Sequence, residues 1–174
     1  MEEIAKHIHK AKGLIYYYFK SKEELFREVL KLELENVKSE LSQIARKKSD
    51  SLTMLETYII KRMKLLSKAY NYHETLKADF FEKYHFVKDV RDDFYEFELN
   101  QITYILKKGN KEGFLEIKNI TKTVNIIMMM ITSTEIPLFL QNKYAEYKDT
   151  LRDMALMVLG SIRNQKKQLK GRTI

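Results

Sequence analysis

Tyr16, Tyr17 and Tyr18 stand in a row, with Lys10 and Lys12 before them and Lys20 and Lys22 after them. Phenolic hydroxyls and ammonium groups both donate hydrogen bonds to phosphate oxygens, so this grouping has the chemistry of a surface that grips a polyanion. On a helix, at roughly 100° per residue, three consecutive side chains spread over about 200° of the circumference, too wide for a small unit to bury all of them. Part of this tyrosine set is expected to face outward.

The flanking residues must position that set. Ile4, Ala5 and Ile8 give one short apolar face and predict a helix over 2–8; a break follows at His9 to Ala11, and Lys12 and Gly13 open a second short helix over 12–18. This spacing suits a helix-turn-helix, whose second helix would carry the tyrosines. Ser21 with Glu24 has the spacing of a capping box, which starts the next helix at Lys22 and turns its positive dipole end outward, where a phosphate is stabilised.

The run from Ile4 to Leu30, with IAK at residues 4–6, KG at 12–13 and IYYYFKSKEELF at 15–26, resembles the DNA-binding segment of TetR-family (tetracycline-repressor-like) bacterial transcription regulators. The resemblance implies an all-α protein with an N-terminal helix-turn-helix head, residues 1–46, and a C-terminal helical ligand-binding and dimerisation domain, residues 47–174. It implies a sequence-specific regulator, a repressor by default, released by a small apolar or aromatic effector. Its partners would be a double-stranded DNA operator and a second copy of the chain, in the cytoplasm. By family position, Lys12, Gly13 and Tyr16 approach base edges, whereas Tyr17, Tyr18 and Lys22 bond phosphates. Leu14 stands where the family usually has a hydroxyl or amide residue, and is expected to touch a thymine methyl instead; Ala11 and His9 also depart from the usual serine and glycine. The family places a further helix before this segment, which implies a head truncated at its N-terminus, with Ile4, Ile8, Ile15, Phe19 and Phe26 losing part of their cover, residues 1–20 poorly ordered and a reading frame that begins upstream. The alternative is a helical dimer that has lost DNA binding and serves as a small-molecule-binding or interaction protein.

Composition agrees with a helical globular protein. A chain of 174 residues with 44% hydrophobic and 32% charged residues can bury a core, and one proline with five glycines leaves few breaks for a many-stranded fold. There is no cysteine, hence no disulfide framework, thiolate metal site or cysteine nucleophile. The richest apolar run, Ile126 to Ile131, is far shorter than the ~20 residues that span a bilayer. Residues 1–48 hold 11 basic against 8 acidic residues, 49–159 hold 16 against 16, and 160–174 hold 5 against none, so the positive excess lies at the two ends. The basic tail, Arg163 to Arg172, reads first as a soluble helix end.

Periodicity predicts further helices over 21–46, 51–70, 72–84, 86–109, 119–141 and 146–167, with Asp50 or Thr53 and Glu56 capping one and Asn71 with Glu74 the next. Val87, Val90, Phe94, Phe97, Ile102 and Ile105 form a stripe ending at Gly109, and Pro137 should kink or end the helix it interrupts. KKGNKEGFLEI, residues 107–117, is similar to the turn before the last two helices of the TetR family. There the two helices from each subunit form a four-helix dimer interface. Ile127, Ile131, Leu151, Met154, Val158 and Ile162 are the expected interface residues, because the two helices carry more apolar positions than one face can bury. An effector pocket between the middle helices would draw on Tyr58, Met63, Phe80, Phe81, Tyr84, Phe94, Phe97 and Tyr104.

Catalytic signatures are not expected. Glu82 and His85 form one E-x-x-H pair, but a di-iron bundle needs a second pair and two further carboxylates. His7 and His9 point to different sides of a helix, and His73 reads as a surface or interface histidine. No cofactor or metal is implied, and an enzymatic activity is not expected.

Overall fold

The computed structural model describes residues 12–47, 49–77 and 85–164. The elements are α1 (Lys12–Tyr18), α2 (Lys22–Arg46), α3 (Ser51–Leu66), α4 (Tyr70–Glu74), α5 (Lys88–Glu112, entered through a 3-10 turn at His85–Val87), α6 (Ile120–Ser133) and α7 (Tyr144–Ile162). The fold is all-α as expected: no strand occurs among the described residues, and extended pairing is limited to one antiparallel bridge, Leu115 with Arg163.

Local chemistry accounts for the helix starts. The Ser21 hydroxyl accepts from the Glu24 N–H at 3.1 Å, and the Glu24 carboxylate accepts in return from the Lys20 N–H at 2.6 Å, so the expected capping box forms with its return bond one residue early. Asp50 Oδ1 accepts from the Leu52 and Thr53 N–H groups at 3.0 Å each, the expected cap of α3. The expected Asn71–Glu74 cap of the next helix does not form. α4 begins two residues earlier, at Tyr70, and its free N–H groups are satisfied from outside: Glu33 on α2 accepts from the Asn71 and Tyr72 N–H groups at 3.3 and 2.8 Å. A tertiary contact has replaced a local one.

α2 is 25 residues long, and its inner side, Leu30, Leu34, Val37, Leu41 and Ile44, is buried in the same core as α3, α5, α6 and α7. One element therefore runs from the turn after α1 into the centre of the larger body. Pro137 acts as expected: α6 stops at Ser133, and the chain continues through a widened π turn at Ile136–Leu140, with Gln141 N–H bonding Ile136 C=O at 3.3 Å.

The stop of α5 differs from the expected Gly109. The helix runs to Glu112 and ends at Gly113, which takes the left-handed conformation at φ 71°. Gly109 is instead a packing notch, since a Cβ there would lie 2.3 Å from Leu115 Cδ1 and 2.8 Å from Ser51 Oγ. Leu115 and Ser51 are themselves buried and have little room to yield. Gly109→Ala is expected to lower stability by about 1–3 kcal/mol, outweighing the roughly 1 kcal/mol that alanine gains by helix propensity. An increase in the urea midpoint would show that the notch is not required. α7 ends at Ile162 rather than near 167, because Glu116 N–H bonds Ile162 C=O at 3.1 Å and Asn164 N–H bonds Phe114 C=O at 3.0 Å.

Candidate nucleic-acid interface and interior cavity

α1 presents its tyrosines as the spacing requires. Tyr17 and Tyr18 are 80% and 67% exposed, and Leu14 and Tyr16 are exposed beside them. The Tyr17 and Tyr18 rings meet edge to face with centroids 5.2 Å apart, which holds two hydroxyls on one outward surface. Lys20 and Lys22 are exposed at the start of α2, so cations border the tyrosines. For Lys12, Gly13 and Ile15 only the helical backbone is described, and the expected contributions of Ile4 and Ile8 and the expected break at His9 to Ala11 lie outside the described residues. Glu23 also stands in the first turn of α2, where backbone amides, Ser21 and Lys22 hold its carboxyl below the usual range.

The larger body encloses a cavity of about 500 Å³. Its floor is a buried ionic network that the sequence reading did not anticipate. Arg62 donates from Nε and Nη2 to the two carboxylate oxygens of Glu98 at 2.5 and 2.9 Å, and from Nη2 to Glu135 at 2.6 Å. The Tyr72 hydroxyl donates to Glu135 at 2.9 Å, and the Tyr58 hydroxyl reaches Glu98 at 3.4 Å. Burial pushes the Glu98 carboxyl up despite Arg62, and pushes the Tyr58 and Tyr72 hydroxyls up as well, so both phenols stay protonated donors. Burial works against the Arg62 charge, but the two carboxylates more than offset it. Phe94, Tyr95 and Val87 form walls, and His85, Lys88 and Arg91 stand toward the solvent side.

Of the eight expected pocket residues, Phe94 lines this cavity; Tyr58 lies beneath it, bonded to Glu98; Met63 is core beside Arg62. Phe97 turns toward α2, where Lys38 Nζ sits 5.9 Å from its ring centroid, and Tyr104 is exposed. Phe80, Phe81 and Tyr84 lie outside the described residues, as does Glu82 of the E-x-x-H pair. Among the described residues no group of acidic and histidine side chains is arranged to hold a metal. His73 is a packed residue rather than a surface one: its ring stacks on Phe139 at 5.0 Å, and Nε2 lies 2.7 Å from Leu66 C=O.

α5 is the wall shared between the cavity and α2. Arg91, Phe94, Tyr95 and Glu98 face the cavity, while Asp89 and Asp93 on the same helix pair with Arg27 and Lys38 of α2. Arg27 holds the Asp89 carboxyl below its ordinary range.

The expected interface residues lie mostly on the inner side of the last two helices. Ile127, Ile131, Leu151 and Val158 are buried within the protomer and Met154 and Ile162 are partly buried against its core, because periodicity marks an apolar face without saying which of two faces turns inward. The apolar side chains left outside are Ile126, Met129 and Ile136, and on α7 Leu156 and Met157. Counted through the proline, Ile120–Leu140 is a stretch of 21 residues containing an 18-residue window of mean hydropathy 1.5, long and apolar enough by length and composition to cross a bilayer, and longer than the Ile126–Ile131 run alone. Its inner face, however, is bundle core, and it carries Glu135 paired with Arg62.

Residues 1–29 match the family profile described as bacterial regulatory proteins, tetR family. No curated protein matches the chain. Solved structures share its fold: a transcriptional regulator from Cytophaga hutchinsonii at a TM-score of 0.77 and 20% identity, covering 94% of this chain and 87% of that one; NemR from E. coli in its reduced form at 0.75 and 15%, with the same coverage of 94% and 87%; and FadR from Bacillus subtilis in complex with stearoyl-CoA at 0.70 and 21%, covering 91% and 84%. The N-terminal segment is thus similar to the bacterial tetR-family profile, and α2 joins it to a helical body that has the fold of these solved regulators.

Proposed function

We propose that the chain is a homodimeric repressor that reads a DNA operator through α1 and releases it when a small molecule fills the interior cavity. The observation that carries this reading is the continuity of α2. Its first turn borders the exposed tyrosines; eleven residues beyond Lys22, Glu33 caps α4 at Tyr72, whose hydroxyl bonds Glu135 on the cavity floor. Arg27 and Lys38 tie the same helix to the α5 wall. A ligand that displaces α5 or Tyr72 therefore pulls on the element that carries the head, and ligand and operator must be reciprocally coupled, by about 1–3 kcal/mol in typical cases.

In this reading residues 1–46 form the head and 47–174 the effector and dimerisation part, with α2 shared between them. Tyr17, Tyr18 and Lys22 bond phosphates, while Lys12, Gly13, Leu14 and Tyr16 approach base edges. FadR, which shares the fold, holds stearoyl-CoA, and an effector in this chain's cavity is the corresponding arrangement. In this reading the protein works in the cytoplasm, where it has access to DNA.

Salt titration of binding to duplex DNA tests the head. Lys22→Ala should weaken binding to all duplexes alike and lower the steepness of the log-affinity against log-salt plot by about one. Lys12→Ala should in addition flatten preference among sequences. Sequence-blind losses of equal size from both variants would overturn the base-reading role of Lys12, and salt-independent or absent DNA binding by the wild type would overturn the repressor reading in favour of a binding protein without a DNA partner.

A further inference from the structure

We propose that the cavity takes a cationic ligand, an organic amine with an aromatic or apolar body, seated with its ammonium on the Glu98–Glu135 floor; this rests on the cavity being the effector site. The floor holds two carboxylates against one guanidinium, all three nearly inaccessible, so its formal charge is one negative in a place where charge is poorly screened. Three of the five N–H groups of Arg62 point to these two carboxylates, and Nη1 donates a fourth to Met63 Sδ at 3.3 Å. The carboxylate oxygens keep acceptor capacity: among the described residues, Glu98 Oε2 and both oxygens of Glu135 each take one donor and can accept a second.

The walls fit the same ligand. Tyr72, Phe94 and Tyr95 offer ring faces and edges around the floor, and a cation between aromatic rings and a carboxylate gains from both. Of the other positive groups lining the cavity, Lys88 pairs with Asp92 on the solvent side, and Arg91 keeps its charge while its Nη1 donates to Thr75 C=O at 3.0 Å. The volume of about 500 Å³ leaves room for a body of one or two rings.

Three probes of nearly equal shape decide it: phenethylamine, phenethyl alcohol and phenylacetate, titrated calorimetrically into the full chain at neutral pH. The amine should bind about tenfold more tightly than the alcohol, and the carboxylate most weakly. Glu98→Gln should remove the preference for the amine. In case that variant folds poorly, Tyr95→Ala, at a half-exposed wall position, should weaken amine binding several-fold while the thermal midpoint stays near that of the wild type. A carboxylate preference, an amine no better than the alcohol, or no binding by any probe overturns the proposal. Operator affinity measured with each probe keeps the two readings apart. Amine binding that leaves operator affinity unmoved supports this ligand class and removes the effector role. Phenylacetate that binds and releases DNA supports the effector role and overturns the ligand class.

Discussion

Arg62→Ala is expected to be among the most destabilising single substitutions in the chain, costing about 3–5 kcal/mol. The variant would leave Glu98 and Glu135 buried close together without their cation, with little of their surface exposed to recover the lost hydration. The same physics predicts a rescue. Replacing the network by apolar groups of similar size, Arg62→Met with Glu98→Leu and Glu135→Leu, and Tyr58→Phe and Tyr72→Phe to retire the two hydroxyls left without acceptors, should return most of the stability, because a buried ion network is destabilising to break and nearly neutral to replace. Urea denaturation of the single and the combined variants gives both numbers. If Arg62→Ala costs less than about 1 kcal/mol, the network is not the buried, mutually dependent unit described here. The combined variant should also have lost any amine preference and any coupling of ligand to DNA, which separates what the network does for function from what it does for stability.

The network illustrates where the sequence was legible and where it was not. The helix starts and the tyrosine surface could be read because their signals are local: the Ser21–Glu24 spacing and the tyrosine run in the head, and the Asp50 cap in the body, each act within four residues. The cavity floor joins residues 36 and 73 positions apart, from different helices, and no local rule connects them. A signal was present all the same. Arg62 interrupts the buried stripe Tyr58, Ile59, Met63 and Leu66, and Glu98 sits at the i+4 position after Phe94 on the stripe that continues to Ile102 and Ile105. Opposite charges on two apolar faces that must pack together point to a buried pair, and following the apolar residues alone passed over both. Glu33 was hidden for a related reason: its role, capping α4, lies 38 residues away in the chain. Met63, Phe97 and Tyr104, three of the residues expected to line the pocket, are core, turned toward α2 and exposed respectively, because aromatic and methionine residues spaced along a helix fill cores as readily as they line cavities.

The dimer prediction turns on the same ambiguity and now distinguishes two faces. Met129→Glu together with Met157→Glu should leave each protomer folded, since these side chains are 70% and 76% exposed, yet abolish self-association by placing like charges in the contact. Val158→Glu, which puts a carboxylate into the core, should instead lower the thermal midpoint by several degrees before any effect on assembly is read. Operator affinity of the folded double variant should fall about 100-fold or more, because a single head loses the benefit of a partner already held at the adjacent half-site. Gly160 gives an independent reading. It is exposed within α7, and nothing lies within 4 Å of a Cβ added there, so no contact inside the protomer requires glycine. A glycine in an exposed helix costs about 1 kcal/mol, and close approach of a second copy would explain its presence. Gly160→Ala should then raise the stability of the dissociated protomer while weakening the dimer. A wild-type chain that sediments as a monomer at micromolar concentration, or a Met129→Glu, Met157→Glu variant that remains a dimer, would move the interface away from this face and leave the exposed side of α6 and α7 without a partner copy.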